Sequence, residues 1–452
     1  MALKNMLFFF FFLNLFLSFS SQETIKAPTN KSDNFSLLFP LTSRSLSPQT
    51  SPKFYSSFVS QAKPVGGKNV SSALNYRTKF SYTMALIVSL PIGTPPQTQE
   101  MVLDTGSQLS WIQCHKKAAA ASASSKKLGT PSTSFDPSLS SSFSVLPCNH
   151  PVCKPRVADF TLPTDCDENR LCHYSYFYAD GTLAEGNLVR EKFTFSPSQS
   201  TLPLVLGCAK DSSDDQGILG MNVGRLSFAS QAKVSKFSYC VPPRSSRVGF
   251  TPTGSFYLGE NPNSAGFQYV NLLTFPQSQR MPNWDPLAYT VVLQGIRING
   301  KKLNIPVSAF RPDASGSGQT IVDSGSDFTY LVDEAYNQVK AEVVRLVGPK
   351  LKKGYVYGGA SDMCFDGNAL EIGRLIGDMV LEFDKGVEIV IPKERMLANV
   401  EVGVNCVGIG RSDMLGIPSN IIGNFHQQNL WVEYDLTNKR VGFGKADCSR
   451  SA

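Results

Sequence analysis

A four-residue pattern that occurs twice in this chain of 452 residues constrains its fold more than any other feature. Residues 104–107 read Asp-Thr-Gly-Ser and residues 323–326 read Asp-Ser-Gly-Ser, and each copy follows a short apolar run. About a hundred residues after each copy come two apolar residues and a glycine, at positions 218–220 and 421–423. A chain that repeats a strand, an acidic turn and a returning apolar strand is expected to fold into two similar lobes.

The residue types in each copy suit a carboxylate held at the tip of a strand. Glycine lets the backbone turn sharply, and short hydroxyls can hydrogen-bond the carboxylate and fix its plane. If the two tips meet, Asp104 and Asp323 lie too close for both to ionise, so they share one proton. The ionised member activates a water while the protonated member polarises a peptide carbonyl. The two motifs together predict peptide hydrolysis at acid pH with no metal or other cofactor. One motif alone would be typical of a β-turn or a calcium loop.

Composition favours an all-β fold, mainly strands with a few short helices. The chain has 35 Gly and 28 Pro, which interrupt long helices, and only 17% charged residues. The formal net charge of +7 lies in the N-terminal region, because residues 1–80 hold nine Lys or Arg against two Asp or Glu. The remaining chain has 34 residues of each sign, which argues against a nucleic-acid partner.

The N-terminal residues are typical of segments that are removed during export. Residues 1–20 have a lysine, a Phe/Leu run and then small residues, which predicts a secretory signal; the alternative is a retained anchor. Residues 21–78 are rich in Ser, Pro and Lys and predict a flexible pro-segment, or a linker, without a packed structure. All N-glycosylation sequons lie there, at Asn30, Asn34 and Asn69. We expect a precursor in the secretory pathway, free of the membrane after signal removal, with the choice between ER lumen, vacuole and cell exterior open.

The paired motifs resemble those of the pepsin-like aspartic proteases. Other stretches resemble the plant nepenthesin-like branch of that family, namely Ile92–Gln97, Trp111–Cys114, Phe237–Cys240 and Tyr289–Ile296. The resemblance implies a bilobal fold with a pseudo-twofold axis, an N-terminal lobe at residues 79–246, a C-terminal lobe at residues 247–452, and a cleft between them. It also implies an aspartic endopeptidase that acts on polypeptides, is blocked by pepstatin-type inhibitors and is a monomer.

The resemblance also implies a role for individual residues. Asp104 and Asp323 match the catalytic pair, and their supporting residues would be Thr105, Gly106, Ser107, Ser324, Gly325 and Ser326. Gly220 and Gly423 match glycines where returning strands cross beneath the active-site loops. Tyr178 matches the tyrosine of a flap that closes over substrate, with Trp111 as its partner and the backbone of Ala179 and Asp180 on the substrate. The alternative is a hairpin of the core, because alternating Tyr174, Tyr176 and Tyr178 is also typical of a half-buried strand.

Cysteines behind a signal peptide predict disulfides. The candidates are Cys114, Cys148, Cys153, Cys166, Cys172, Cys208, Cys240, Cys364, Cys406 and Cys448. Sequence alone cannot give their pairing; we expect an N-lobe cluster, a bridge between Cys364 and Cys406, and a clasp between Cys240 and Cys448. A metal site at the N-lobe cluster is the alternative, although zinc sites usually have tighter spacing.

The serious competing function is a binding protein on the same fold. Plant relatives that have lost catalytic residues act as inhibitors of secreted glycosidases, and fold alone does not decide function. Retention of both aspartates and both motif hydroxyls favours the enzyme. A serine hydrolase and a P-loop nucleotide-binding protein are disfavoured because the motifs G-x-S-x-G and G-x-x-x-x-G-K-[ST] are absent from the sequence.

Overall fold

Short β-strands dominate the structure, which confirms the predicted fold class. A computed structural model describes residues 36–46, 83–114, 134–153, 164–178, 183–212, 216–244, 252–275 and 281–449. Its strands are β1 (Ser36–Leu46), β2 (Thr83–Ile92), β3 (Gln97–Asp104), β4 (Trp111–Gln113), β5 (Ser144–Val145), β6 (Thr164–Cys166), β7 (Cys172–Phe177), β8 (Leu183–Glu191), β9 (Thr194–Ser196), β10 (Gln199–Ser200), β11 (Leu204–Ser212), β12 (Gly217–Gly220), β13 (Lys236–Cys240), β14 (Thr253–Gly259), β15 (Gln268–Asn271), β16 (Thr290–Val291), β17 (Leu293–Ile298), β18 (Lys301–Lys302), β19 (Thr320–Val322), β20 (Thr329–Leu331), β21 (Cys364–Asp366), β22 (Met379–Phe383), β23 (Glu388–Ile391), β24 (Leu397–Glu401), β25 (Val404–Val407), β26 (Ile409–Arg411), β27 (Asn420–Ile422), β28 (Leu430–Asp435) and β29 (Arg440–Lys445). The α-helices are α1 (Phe228–Gln231), α2 (Asp333–Val347) and α3 (Ala369–Ile376).

The two lobes repeat one strand arrangement, as the duplicated motif predicts. In the first, β3 runs parallel to β12, which pairs antiparallel with β4 through Ile218 and Trp111, and β4 runs parallel to β11. In the second, β19 runs parallel to β27, which pairs antiparallel with β20 through Ile421 and Tyr330, and β20 runs parallel to β26. Each parallel pair joins the strand that leads into a motif aspartate to the strand of the apolar-apolar-Gly sequence.

A large sheet joins the two lobes, with the strand order β15-β29-β28-β13-β14-β1-β2-β3-β12-β4-β11-β8-β7-β6. Strand β1 lies at its middle, where it pairs antiparallel with β14 on one side and with β2 on the other. Leu41 of β1 is fully buried. The expectation that residues 21–78 lack regular structure is therefore wrong for residues 36–46, where five Leu or Phe residues and main-chain pairing on both edges favour a strand. Where the precursor is cut stays a prediction.

One hydrophobic core extends beneath both motifs. Leu103 and Val322, the residues before the two aspartates, belong to the same buried cluster as Leu219 and Ile422 of the returning strands. The C-terminal lobe adds α2, whose apolar positions at helical spacing, including Tyr336, are buried. The hydrophobic core therefore supports the strand ends that lead into the two aspartates.

The described cysteines are all in disulfides. Cys240 pairs with Cys448 and Cys364 pairs with Cys406, as expected, and the N-lobe pairs are Cys114–Cys208, Cys148–Cys166 and Cys153–Cys172. The close approach of Cys148, Cys153 and Cys166, which a metal site would also need, is explained by two neighbouring disulfides. Within the described ranges, no helix is both long and apolar enough to cross a membrane. The expected lobe boundary at residue 246 lies outside the described residues and stays a prediction.

Candidate active site

Local hydrogen bonds hold the Asp104 carboxylate within its own loop. The main-chain N–H of Gly106 donates to Asp104 Oδ1 at 2.8 Å, and the hydroxyl of Ser107 donates to Oδ2 at 2.5 Å. Both bonds arise from residues two and three positions after the aspartate, so the tetrapeptide itself orients the carboxylate. Asp104 is 7% exposed, which leaves it reachable from the cleft but poorly hydrated.

The second loop repeats these contacts around Asp323. The N–H of Gly325 donates to Asp323 Oδ1 at 3.0 Å, and the hydroxyl of Ser326 donates to Oδ2 at 2.7 Å. The N–H of Ser326 adds a bond of 2.9 Å to Oδ2. Asp323 is also 7% exposed. The two hydroxyls expected to support the aspartates therefore lie where the sequence placed them, in equivalent positions of the two lobes.

Reciprocal hydrogen bonds lock the two loops together. The N–H of Thr105 donates to Ser324 Oγ at 3.1 Å, and the N–H of Ser324 donates to Thr105 Oγ1 at 2.9 Å. The Ser324 hydroxyl then donates to the carbonyl of Leu103 at 2.7 Å, across the lobe boundary. Thr105 and Ser324 are completely buried, so these bonds form without competition from water. They fix the relative position of the two aspartates.

The motif glycines let the two carboxylates approach each other's loops. A Cβ atom on Gly106 would lie 3.0 Å from Asp323 Oδ1, and one on Gly325 would overlap the carboxylate of Asp104. Any larger residue at these positions would push the carboxylates away. Glycine is therefore required here for space at the centre of the site as well as for the turn.

Gly220 and Gly423 lie where the returning strands pass the motif loops. A Cβ on Gly220 would come within 2.7 Å of the backbone of Gln108, and one on Gly423 would overlap the carbonyl of Phe328. Gly220 also pairs with Asp104 in the parallel ladder of β12 and β3. The crossing beneath the loops that the resemblance implied is present in both lobes.

The electrostatic state of Asp104 is perturbed. Burial is the largest cause that raises the pKa of Asp104 above the ordinary aspartate value, and the nearby charge of Asp323 raises it further. The hydrogen bonds from Ser107 and Gly106 act in the opposite direction because they favour the ionised form. Two interacting carboxyl groups in such a site titrate as a pair, and the pair can hold one proton.

Tyr178 makes the tryptophan contact expected of a flap tyrosine, and its role in a flap stays a prediction. The indole Nε1–H of Trp111 donates to the Tyr178 hydroxyl at 2.7 Å, and Tyr178 packs edge-on against Tyr176 with ring centroids 4.9 Å apart. Tyr174, by contrast, is fully buried in the core of the lobe. Tyr176 of β7 and Tyr178, which follows the end of that strand, are partly buried against the same core cluster that contains Tyr174. Ala179 and Asp180 lie outside the described residues, as do Asn30, Asn34 and Asn69.

The sequence reasoning missed a buried polar network beneath the two loops. The Tyr434 hydroxyl donates to the carbonyl of Val322 at 3.2 Å, and Gln427 Nε2 donates to the carbonyls of Asp323 and Ile422 at 3.1 and 2.8 Å. The Tyr239 hydroxyl donates to Gln427 Oε1 at 2.8 Å. Tyr239 and Tyr434 come from strands β13 and β28 of the sheet that joins the lobes, where only the alternation of apolar and polar residues hinted at their burial, and Gln427 ends a short 3-10 helix between β27 and β28.

Comparisons with known proteins agree with this geometry. Residues 86–255 match a family described as xylanase inhibitor N-terminal, and residues 288–445 match one described as xylanase inhibitor C-terminal. Soybean basic 7S globulin shares the fold, with a TM-score of 0.57 at 15% identity over 91% of this chain and 97% of the globulin.

Two plant proteins with similar sequences are aspartic proteinases. The chain is 37% identical to aspartic proteinase PCS1 of Arabidopsis thaliana over 82% of this chain and 84% of the relative. It is 33% identical to aspartic proteinase nepenthesin-1 of Nepenthes gracilis over 81% of this chain and 78% of the relative. Similarity of this extent, together with two motif aspartates brought to one site, shows that the chain belongs to the aspartic proteinase family of these plant enzymes and is an aspartic endopeptidase.

Proposed function

We propose that Asp104 and Asp323 form the catalytic pair and hydrolyse peptide bonds of proteins at acid pH. The observation that carries this proposal is the approach of each carboxylate to the glycine of the opposite loop, combined with the raised pKa of Asp104. A pair that shares one proton has both a base and an acid available at the same time. We expect the pair to have one ionised and one protonated carboxyl at acid pH.

The proposed reaction uses one water and no cofactor. The ionised carboxylate takes a proton from a water placed between the two aspartates, and the oxygen of that water attacks the peptide carbonyl carbon. The protonated carboxyl donates its hydrogen to the carbonyl oxygen, which stabilises the developing charge. The C–N bond then breaks as the protonated carboxyl gives its proton to the nitrogen and the ionised carboxylate takes a proton from a hydroxyl of the tetrahedral intermediate, which returns the pair to its starting state. An extended peptide would lie in the cleft under β7 and β8, with Tyr178 beside it.

Replacement of either aspartate by asparagine tests this mechanism. We expect Asp104→Asn and Asp323→Asn each to reduce kcat on an unfolded protein at about pH 3–5 by at least about a thousandfold, because asparagine can neither accept nor share the proton. Asp167→Asn is a matched control, because Asp167 also accepts main-chain N–H groups but lies between β6 and β7, away from the site. A circular dichroism spectrum should be unchanged in all variants. Full activity of Asp104→Asn would reject the assignment, and a pepstatin-type inhibitor should block the wild type.

Inhibition of a secreted glycosidase is the second candidate function. The family descriptions that match both halves of the chain name xylanase inhibitors, which is the observation in its favour. Calorimetry with a purified xylanase separates the two functions. Tight binding by a wild-type protein that cleaves no polypeptide between about pH 3 and 7 would favour inhibition. Cleavage without xylanase binding supports the protease.

The remaining features of the precursor are also proposals. Residues 1–20 would direct the chain into the secretory pathway and be removed, and Asn30, Asn34 and Asn69 would carry N-glycans. The enzyme would be made as a zymogen and act as a monomer. Expression in a secreting host, N-terminal sequencing, enzymatic deglycosylation and size-exclusion chromatography with light scattering test these points separately.

A further inference from the structure

The hydrogen bonds that join the two motif loops are not symmetric. The Ser324 hydroxyl donates to the carbonyl of Leu103 at 2.7 Å. The equivalent distance in the other direction, from Thr105 Oγ1 to the carbonyl of Val322, is 3.5 Å, at the outer limit of a hydrogen bond. Leu103 and Val322 are the residues before the two aspartates. The same backbone position therefore has a close hydroxyl donor from the opposite loop in one lobe and a distant one in the other.

Tyr434 of β28 offers a closer donor to the carbonyl of Val322. Its hydroxyl lies 3.2 Å from that oxygen. The Tyr434 side chain is fully buried and packs against the rings of Phe237 and Tyr289, at centroid distances of 4.7 and 4.2 Å. Burial raises the pKa of Tyr434, so the hydroxyl keeps its hydrogen throughout the acid range. Tyr434 is therefore a rigidly held donor that is present at every pH at which the protein would act.

This contact affects where the hydrogen of the Thr105 hydroxyl points. The Thr105 oxygen accepts the N–H of Ser324 at 2.9 Å, and the hydroxyl has one hydrogen to donate. Its possible acceptors are the carbonyl of Val322, the Tyr434 oxygen at 3.4 Å and Asp323 Oδ1 at 3.3 Å. Tyr434 already occupies the carbonyl, and a carboxylate is a stronger acceptor than either neutral oxygen. The Thr105 hydroxyl is thus directed to Asp323, across the boundary between the lobes.

Asp323 is the carboxyl whose ionised form this donor would stabilise. Burial and the charge of Asp323 raise the pKa of Asp104, so Asp104 retains the shared proton and Asp323 is the ionised member of the pair. The N–H of Gly325 and the hydroxyl of Ser326, which also donate to Asp323, belong to its own loop. The Thr105 hydroxyl adds a donor from the loop of the opposite lobe.

We propose that Tyr434 is a positioning residue of the catalytic pair, which directs the Thr105 hydroxyl to the ionised carboxylate of Asp323. This inference rests on the proposed protease function of the same pair. A purely structural role is the competing explanation, because Tyr434 is part of the hydrophobic core and of a buried hydrogen-bond network. Tyr434→Phe separates the two roles, because phenylalanine retains the packed ring and removes only the hydroxyl.

The test is the pH profile of kcat/KM on a fluorogenic peptide that the wild type cleaves. Without the Tyr434 hydroxyl, the carbonyl of Val322 is free to accept Thr105, so Asp323 loses a donor and the pair ionises at a higher pH. We expect the acid limb of the profile to move to higher pH by about half to one unit in Tyr434→Phe. The alkaline limb should stay in place, because it reports the proton that Asp104 retains.

An acid limb at the same pH in the wild type and Tyr434→Phe would overturn the proposal. Cleavage of no peptide by the wild type at any pH would instead reject the protease function itself. The other titratable groups that interact with Asp323 are the same in both proteins, namely Asp104, Tyr239 and Asp285. A difference between the two profiles therefore reports the Tyr434 hydroxyl.

Tyr336→Phe is the matched control. Tyr336 is also fully buried, and its hydroxyl donates to Asp362 Oδ1 at 2.6 Å, away from the motif loops. This variant should lose thermal stability, as Tyr434→Phe should, but keep both limbs of the profile at the wild-type pH. An equal shift of the acid limb in both variants would show that the limb responds to general destabilisation, and would also overturn the proposal.

Neutron diffraction from crystals of the wild type gives a measurement that does not depend on the folding of a variant. After exchange into heavy water, the deuterium of each hydroxyl can be located. We expect the Thr105 deuterium to point to Asp323 Oδ1 and the Tyr434 deuterium to point to the carbonyl of Val322. A Thr105 deuterium that points to the carbonyl of Val322 would contradict the proposal.

Discussion

The hydrogen bond from Ser107 to Asp104 should set the upper pH limit of activity. The Ser107 hydroxyl lies 2.5 Å from Asp104 Oδ2, and it lowers the pKa of Asp104 against the larger effect of burial. Ser107→Ala removes this donor and leaves the Gly106 N–H in place. A hydrogen bond to a charged group contributes about 1.5–3 kcal/mol, and one pKa unit corresponds to about 1.4 kcal/mol. The pKa of Asp104 should therefore rise by about one to two units.

The pH profile of kcat/KM measures this change. Activity requires that the pair keep its shared proton, so a higher pKa of Asp104 moves the alkaline limb of the profile to higher pH. Ser140→Ala is the matched control, because its hydroxyl donates to the buried carboxylate of Glu191 at 2.7 Å in the same lobe. That variant should lose stability without moving the limb. An unchanged limb in Ser107→Ala, or an equal shift in both variants, would refute the reasoning.

Three further predictions concern the glycine contact, the tyrosine partner and the bridging strand. Gly325→Ala should reduce kcat at least about a hundredfold because the new Cβ overlaps the Asp104 carboxylate, whereas Gly266→Ala, in open space, should have little effect on steady-state kinetics. Trp111→Phe removes the donor to Tyr178 and should lower kcat/KM about tenfold, while Trp431→Phe, in the interlobe sheet, should affect mainly the melting temperature. Residues 36–46 should stay bound in the processed enzyme because both edges of β1 are paired; native mass spectrometry of a folded, active enzyme without them would contradict this.

The candidate site was predictable from sequence where a residue's role depends on its near neighbours. Asp104 is oriented by residues two and three positions away, and the same spacing orients Asp323, so a tetrapeptide is sufficient to identify both. Tyr434, by comparison, reaches Thr105 Oγ1 across 329 residues of sequence. A tyrosine in an alternating strand looks the same whether it packs in a core or supports a catalytic loop, so no local signal distinguishes it.

In the N-terminal region, the sequence predicted a flexible segment where the structure has a strand. Residues 36–46 contain five polar residues and a proline beside five Leu or Phe, and they lie within a region rich in Ser, Pro and Lys. Their strand forms because β14 and β2 offer unpaired main-chain groups on either side, and pairing to both edges compensates for the weak local preference. The partner on one edge, β14, lies more than 200 residues away in the sequence, so composition cannot predict this pairing.

The sequence by itself determined the chemistry of this protein: two aspartates, the hydroxyls and glycines that orient them, and a fold in two similar halves. These properties follow from short-range spacing, because turns and strand ends are built from adjacent residues. The tertiary structure decided what depends on distance between lobes. It sets the contact of each carboxylate with the opposite glycine and the reciprocal hydrogen bonds between Thr105 and Ser324. Electrostatic coupling and buried hydrogen bonds depend on separation in space, and that separation exists only once the lobes have packed together.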